Sequence, residues 1–301
     1  MNTLVIGASG FVGKHLVRAL RERGDEVSVT GRNLAKLQKT FRDGVQTTEW
    51  DPNGGPIPQA ALAGVDAVIN LAGDNVGKGR WSKRKKERIR ASRVDGTRNL
   101  VAGIAASEHR PAVLVNASAI GYYGDGGSSV FNEGSLPGRD FLARVCEAWE
   151  GEASRARGHG VKVAIARLGV VLGKDDGAYP QMSRPFKMFL GGPIGMGRRW
   201  FSWIHVDDVV GILSHLAATN ADGIFNATAP GVVTNEEFSH TLGSVLHRPS
   251  FARVPPLALR VVLGGFATVI CSSTRATPLR TIGTGYEFKY PEVRPALEAL
   301  R

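Results

Sequence analysis

The chain opens with Thr3-Leu4-Val5-Ile6 running directly into Gly7-Ala8-Ser9-Gly10-Phe11-Val12-Gly13, and the fold turns on how that stretch is read. The first four residues, apolar and β-branched, read as a buried strand. Phe11, Leu16 and Leu20, with Val12 and Val17 between them, recur at helical spacing and stop at Gly24, a natural helix C-cap. The three glycines therefore lie between a strand and the helix after it, the setting in which such a triplet carries chemistry. Gly7 permits the tight turn, Gly10 lets the backbone approach a pyrophosphate, and Gly13 lets the helix pack closely on the strand. The free N–H groups and positive dipole end of the helix then face the phosphates. With a second strand expected at 26–30, this is a dinucleotide-binding unit whose contact loop includes Ser9, Phe11 and Val12.

The tip of the second strand selects the dinucleotide. An NAD site places a carboxylate there to accept from the ribose 2′-hydroxyl. Here Val27-Ser28-Val29-Thr30 delivers Gly31-Arg32 and no acid, while Lys36 follows one turn later. A guanidinium pairs bidentately with a 2′-phosphate, so the residues predict NADP(H).

Beyond this unit, short apolar runs alternate with helical stretches, the rhythm of a parallel sheet covered on both faces. Strands are expected at 3–6, 26–30, 47–50, 67–71, 112–116 and 161–167, with long helices at 83–107 and 141–157. A helix is also expected over 206–218 and a strand over 223–227. Gly191-Gly192-Pro193 and Gly195-Met196-Gly197 mark loops, and a loop insertion is expected over about 176–203. Helices at 236–246 and around 257–270 close the chain. The predicted fold is α/β: a Rossmann-type, doubly wound parallel sheet over 1–230, and a small, mainly helical substrate domain over 231–301.

Composition is that of an ordinary globular chain, 43% hydrophobic and 22% charged over 301 residues, which argues against disorder. No apolar run is long enough to span a bilayer, and the N-terminus lacks the basic start and cleavage site of a signal peptide. Cys146 and Cys271 are too few for a disulfide framework and are not spaced as metal ligands. A cytoplasmic protein without a metal is expected, with monomer and homodimer both open. The net charge of +11 is concentrated: Arg80 to Arg93 holds eight basic residues against Glu87 alone. This reads as a solvated helix face. No zinc-finger, helix-turn-helix or aromatic RNA-binding motif accompanies it, so sequence-specific nucleic-acid binding is not expected, and the expected partner is a small molecule.

Several stretches resemble the extended short-chain dehydrogenases/reductases, in the order that family has them. They are the Gly7/Gly10/Gly13 turn, Asn70-Leu71-Ala72-Gly73, the helix motif from Arg93-Val94-Asp95-Gly96, Ser118 ahead of Tyr123-Gly124, Arg167-Leu168-Gly169-Val170, and His205-Val206-Asp207-Asp208. A branch of epimerase-like proteins of unsettled activity is more similar still. Its marks are Arg80-Trp81, Ser118-Ala119-Ile120-Gly121-Tyr122-Tyr123-Gly124, Trp203-Ile204-His205 and the stretch from Ala229-Pro230 to Phe238, and the resemblance covers almost the whole chain. It implies cofactor contacts at Gly31, Arg32, Leu71, Ala72, Gly73, Arg93, Ala117, Arg167 and Val170, and a substrate side that includes Arg80, Trp81, Trp203 and His205.

The same resemblance exposes a gap. That family uses a Tyr as general acid/base and a Lys four residues later to lower its pKa, because a phenol near pKa 10 is otherwise a poor base at neutral pH. Between Tyr123 and Lys162 this chain has neither residue; the helix start reads Gly138-Arg139-Asp140-Phe141-Leu142-Ala143-Arg144-Val145-Cys146. Ser118, Tyr122 and Tyr123 remain as candidates for polarising a carbonyl and exchanging its proton, although a Tyr at a strand end also serves as packing. Arg144 lies near the place of the missing Lys. His205 with Asp207 or Asp208 reads as an orienting pair, or Asp207 as a helix N-cap. Trp200, Phe201 and Trp203 read either as the wall of a pocket for an anionic, partly planar substrate, beside Arg198 and Arg199, or as core. Two functions follow: an NADP(H)-dependent oxidoreductase or epimerase acting on a small carbonyl, alcohol or sugar-nucleotide-like substrate, or an NADP(H)-sensing regulator that acts through a protein partner.

Overall fold

The computed structural model describes residues 1–41, 44–77, 79–255, 257 and 265–301. Strands β1 (Asn2–Ile6), β2 (Glu26–Gly31), β3 (Gln46–Glu49), β4 (Ala67–Asn70) and β5 (Val113–Ala119) alternate with helices α1 (Phe11–Glu22), α2 (Leu34–Thr40), α3 (Gln59–Leu62) and α4 (Lys83–Ala106). After a two-residue strand, β6 (Val130–Phe131), come α5 (Phe141–Ser154), β7 (Lys162–Leu168), β8 (Val170–Leu172), α6 (Tyr179–Lys187), β9 (Trp200–Phe201) and β10 (Trp203–His205). Then follow α7 (Val206–Ala218), β11 (Gly223–Ala227), β12 (Val233–Thr234) and α8 (Asn235–Leu246). The chain ends with helices Phe266–Ile270, Leu279–Gly283 and Val293–Leu300, and with β13 (Arg275–Ala276) ahead of the last two.

Seven of the strands form one parallel sheet in the order β11-β7-β5-β4-β1-β2-β3. The alternation within each strand explains its two covers. Val5, Val27, Val29, Ile69 and Val115 face α1 and α7 through Leu16, Leu20, Val209 and Leu213. Leu4, Ile6, Val68, Leu114 and Ile165 face the other way, toward Leu100 and Ile104 of α4. Successive strand residues point to opposite faces, so both sides of the sheet are apolar and both need helices. The strand order reverses at β1, placing a crevice at the carboxyl ends of β1 and β4.

A third cluster lies outside the sheet. Phe186 of α6, Trp203, Phe238 and Leu242 of α8, and Val293, Leu297 and Leu300 of the last helix pack together. The segment between returns to the sheet: β13 pairs with β6, and Thr281 Oγ1 donates to Asn226 O on β11 at 2.8 Å.

Three expectations need correction. The stretch 176–203 is not a plain loop, because residues 179–187 form α6 with Tyr179, Ser183 and Phe186 buried. Its prolines disguised it; Pro180 sits in the first turn, where a missing N–H costs nothing, and only Pro185 is interior. The helix beginning at Phe141 turns into a 3-10 segment at 155–159, ended by Gly160 at φ 81°. Strand β5 runs on to Ala119, which brings Ser118 into the ladder opposite Arg167. Of the helix expected around 257–270, the part at 258–264 lies outside the described residues.

Candidate active site

Glycine shapes the cradle. Gly7 has φ +78°, and a Cβ there would stand 2.8 Å from the Leu71 carbonyl carbon. A Cβ on Gly13 would stand 2.5 Å from Gly7 O, so no larger residue fits where α1 meets β1. Gly10 caps α1 without a side-chain hydrogen bond, and no acid lies in the first turn. The N–H groups of that turn therefore keep their capacity for an anion. The Phe11 ring is pressed against Gly173 and Gly177, where any Cβ would collide with it. Ladder pairs Ile6↔Thr30 and Ile6↔Asn70 bring Gly31-Arg32 and Leu71-Ala72-Gly73 level with this turn. Asn70 fixes the second of these: its amide donates to Thr97 Oγ1 and Asn116 Oδ1, and its oxygen accepts from Ala72 N. Arg32 is exposed and pairs with no carboxylate among the described residues.

Arg93 lies beside this edge, with Gly73 so close that a Cβ there would be 3.0 Å from the guanidinium carbon. It donates to Asp74 O and sits 5.2 Å from the Trp149 ring; Trp149 packs in turn with Ala117. The basic helix is not a uniformly solvated face. Lys85 is buried, donating to Asp74 Oδ2 at 3.0 Å and Asn75 O at 2.7 Å, and Arg88 approaches the same carboxylate at 3.4 Å. Burial works against the charge of Asp74, but Lys85 and Arg88 outweigh it and hold the carboxyl below its ordinary range.

The chemistry side is organised around an ion pair that the sequence did not announce. Ser118, Arg167 and Asn226 stand level on β5, β7 and β11. Arg167, 1% exposed, grips Glu150 of α5 with two hydrogen bonds, Nε to Oε1 at 2.9 Å and Nη2 to Oε2 at 2.7 Å. Burial opposes the charge on Arg167, yet Glu150 more than offsets it and raises its pKa further. Arg167, expected beside the cofactor, is thus spent inside the protein.

Two candidate hydroxyls are tied to the same pair. Ser118 Oγ donates to Glu150 Oε1 at 2.6 Å rather than into the crevice. The Tyr123 hydroxyl, buried, accepts from Arg167 Nη1 at 3.0 Å and donates to Asn226 Oδ1 at 2.7 Å. Tyr122 is half-buried, and its ring covers the Arg167 guanidinium at 3.3 Å. Burial raises both phenols above their ordinary value, although Arg167 pulls the other way.

The place of the missing dyad can now be located. Leu142 packs where a Cβ on Gly121 would stand, and the Cys146 thiol, four residues on, lies against Ser118 and the Ala119 backbone. Burial, and then the Glu150 charge, push that thiol up to about 11. Arg144 is exposed and donates to Arg139 O, so it does not stand in for the Lys. Glu150 is one helical step beyond Cys146. A carboxylate directly after the apolar Val145, Cys146 and Trp149, in a helix that also buries Glu152, was the signal that could have revealed it.

A cavity of about 390 Å³ opens beyond Ile120 and Val170, between the sheet edge and the third cluster. Trp200 and Phe201 line it, but Trp203 does not: it is fully buried in the core and donates to Gly231 O. His205 is also buried. It caps α7 itself, its Nδ1 accepting from Asp207 N at 3.1 Å, so the expected cap by Asp207 is reversed. Asp207 binds Lys289 at 2.8 Å instead, and Asp208 accepts from Lys289 N and Tyr290 N. Trp81 stacks edge-on against Phe141 and donates to Val76 O, and Arg80 beside it is exposed.

A seven-stranded parallel sheet with a glycine turn after β1, and a serine–tyrosine segment that begins at the end of β5, defines an extended short-chain dehydrogenase/reductase. Residues 3–227 match the NAD dependent epimerase/dehydratase family and residues 254–300 match a domain of unknown function, DUF1731. The chain belongs to the NAD dependent epimerase/dehydratase family. It is 43% identical to the chloroplastic epimerase family protein SDR39U1 homolog of Arabidopsis thaliana, covering 100% of this chain and 86% of that one. It is 36% identical to the epimerase family protein YfhF of Bacillus subtilis, over 100% and 98% of the two chains. The crystal structure of human epimerase family protein SDR39U1 with NADPH superposes with a TM-score of 0.90, at 32% identity over 100% and 99% of the chains. Among the described residues, no helix is long and apolar enough to cross a membrane.

Proposed function

We propose that the chain is a cytoplasmic NADP(H)-dependent oxidoreductase of the epimerase type that acts on a small carbonyl or alcohol compound. The observation that carries this reading is the joining of two sites at one sheet edge. A glycine cradle ends beside an exposed Arg32, and a cavity starts at Ile120 and Val170. In this reading Gly7, Gly10, Gly13 and the start of α1 hold the pyrophosphate, Arg32 takes the 2′-phosphate, and Leu71, Ala72, Gly73 and Arg93 border the nucleotide. The nicotinamide coenzyme supplies or accepts the hydride. The human relative crystallised with NADPH supports the choice of phosphate-bearing dinucleotide.

For the proton, Tyr122 is the remaining phenol, since the hydroxyls of Ser118 and Tyr123 already donate within the protein. Ser118 acts through Glu150 and Arg167 to hold the Tyr122 ring, a positioning role. A raised phenol pKa suits a proton donor better than a base. Carbonyl reduction is therefore expected at neutral pH, and alcohol oxidation only as the pH becomes alkaline. A panel of carbonyl compounds and sugar nucleotides, followed by loss of NADPH absorbance, tests the reading. Tyr122→Phe should lower turnover by about a hundredfold or more. Turnover that survives Ser118→Ala, Tyr122→Phe and Tyr123→Phe would reject this site.

A second reading has its own observation. Leu142 lies against Gly121 and Cys146 against Ser118, and neither exchanges a proton readily at neutral pH. An NADP(H)-sensing regulator needs no such group, and tight NADPH binding without turnover of any substrate would favour it.

A further inference from the structure

The cavity beyond Ile120 and Val170 has walls that restrict its ligand. Among the described residues that line it there is no Asp, Glu, Lys, Arg or His. Its surface is made by side chains such as Met182, Phe186, Phe201, Phe238, Leu242 and Val254. Several of its polar atoms are already engaged. Ser202 Oγ donates to Thr274 O and accepts from Ala276 N, and Thr274 Oγ1 donates to Gly124 O. Asn235 Oδ1 accepts from Ile194 N, and Ser272 Oγ donates to Val269 O. Ser239 on α8, the amide nitrogen of Asn235, the indole N–H of Trp200 and Gln181 at the rim are left over for a ligand. Two large apolar side chains of the lining, Leu190 and Ile270, stand 61% and 36% exposed, so the mouth is apolar as well.

From this lining we infer that the cavity takes a compact, uncharged, mostly apolar carbonyl compound with one or two polar atoms, and not a sugar nucleotide. The inference rests on the oxidoreductase reading above and names its substrate class. A sugar nucleotide brings a doubly charged pyrophosphate and a ring of hydroxyls. Each polar group taken from water without a partner costs on the order of a few kcal/mol, and an unpaired charge costs more. Arg198 and Arg199 do not meet that need from within: they line a separate open cleft on Trp200 with Asp125, and Arg199 approaches that carboxylate at 3.7 Å. Apolar walls instead favour a ligand whose affinity grows with the carbon it buries.

The test is calorimetric titration of the full, NADPH-saturated chain with 2-hexanone, 2-octanone and 2-decanone, and separately with UDP-glucose. Affinity should rise about fourfold per added methylene until the cavity is filled. UDP-glucose should bind at least about a hundredfold more weakly than 2-decanone. Leu190→Lys, a change at an exposed position, should weaken 2-decanone while leaving NADPH affinity unchanged. A flat chain-length series, or UDP-glucose binding more tightly than the ketones, overturns the inference. NADPH oxidation recorded alongside separates the two levels. Ketone binding without oxidation would reject the oxidoreductase reading but keep the ligand class. Reduction of NADP⁺ by UDP-glucose, in a parallel run with the oxidised coenzyme, would do the reverse.

Discussion

The cradle at the end of β1 and the network at the end of β5 solve opposite problems with opposite materials. The cradle is made of backbone. Gly7 and Gly13 are there because a Cβ would strike the Leu71 and Gly7 carbonyls, and α1 begins with its N–H groups unclaimed. The network is made of side chains from five separate segments, Ser118, Tyr123, Glu150, Arg167 and Asn226, and its hydrogen bonds are closed among themselves. One region keeps its donors free for a ligand; the other has used them to bury a charge. A short-chain dehydrogenase needs both regions open. Under the oxidoreductase reading proposed above, the cradle is ready for a nucleotide, while the segment beside Ser118 is filled by Leu142, Cys146 and the Arg167–Glu150 ion pair.

The largest expected effect breaks the network. Glu150→Ala leaves Arg167 charged, 1% exposed and without its anion, and should destabilise the fold by about 3–5 kcal/mol. Urea unfolding measures it, and the double change Glu150→Leu, Arg167→Met should recover most of the loss. A single-variant cost under about 1 kcal/mol would show the pair to be solvated after all.

On the cradle side, Gly13→Val should cost about 1–3 kcal/mol through overpacking, with a selective consequence. The thermal stabilisation that NADPH gives the native chain should vanish in the variant. Persisting stabilisation would place the nucleotide elsewhere. Glu150→Ala, by contrast, should keep that stabilisation at temperatures where it is folded.

The smallest effect concerns His205. Burial, its largest cause, depresses this imidazole below its ordinary 6.5, and Asp207 and Asp208 only partly counter it. The unfolded chain then binds a proton that the folded chain resists, so stability is full above about pH 6.5 and falls as the pH drops toward the folded value. His15, depressed first by burial and then by Arg18, adds to the same slope. His205→Asn keeps an N-cap for α7 and should flatten the slope between pH 7 and about pH 5, as followed by unfolding midpoints. An unchanged slope would assign the acid sensitivity to other groups.

The same contrast explains what could be read in advance. The sheet was legible because its strands other than the polar edge strand β3 carry apolar residues, and that signal is local. The turn through Gly7, Gly10 and Gly13 was legible for the same reason, since one contiguous stretch between a strand and a helix carries it. Arg167 was visible as part of a motif, but its partner Glu150 lies 17 residues earlier on another element, and only the packing of α5 on β5 and β7 joins them. Trp203 illustrates the limit from the other side. Its neighbours Trp200 and Phe201 face the cavity, yet the parallel pairing of β10 with β8 turns Trp203 into the core. Lys85 misled through composition, since seven basic neighbours suggested solvent and one buried contact with Asp74 decided otherwise. Helix α6 was hidden by its prolines.

The central claim is that the cradle holds a dinucleotide by its 2′-phosphate, through Arg32. Calorimetric titration of the wild-type chain with NADPH and with NADH, side by side at one salt concentration, tests it most directly. NADPH should bind about 10- to 100-fold more tightly, the range of a charge-assisted contact, and Arg32→Asp should erase or reverse that ratio. Equal affinities in the wild type, or a preference that survives Arg32→Asp, would contradict the account.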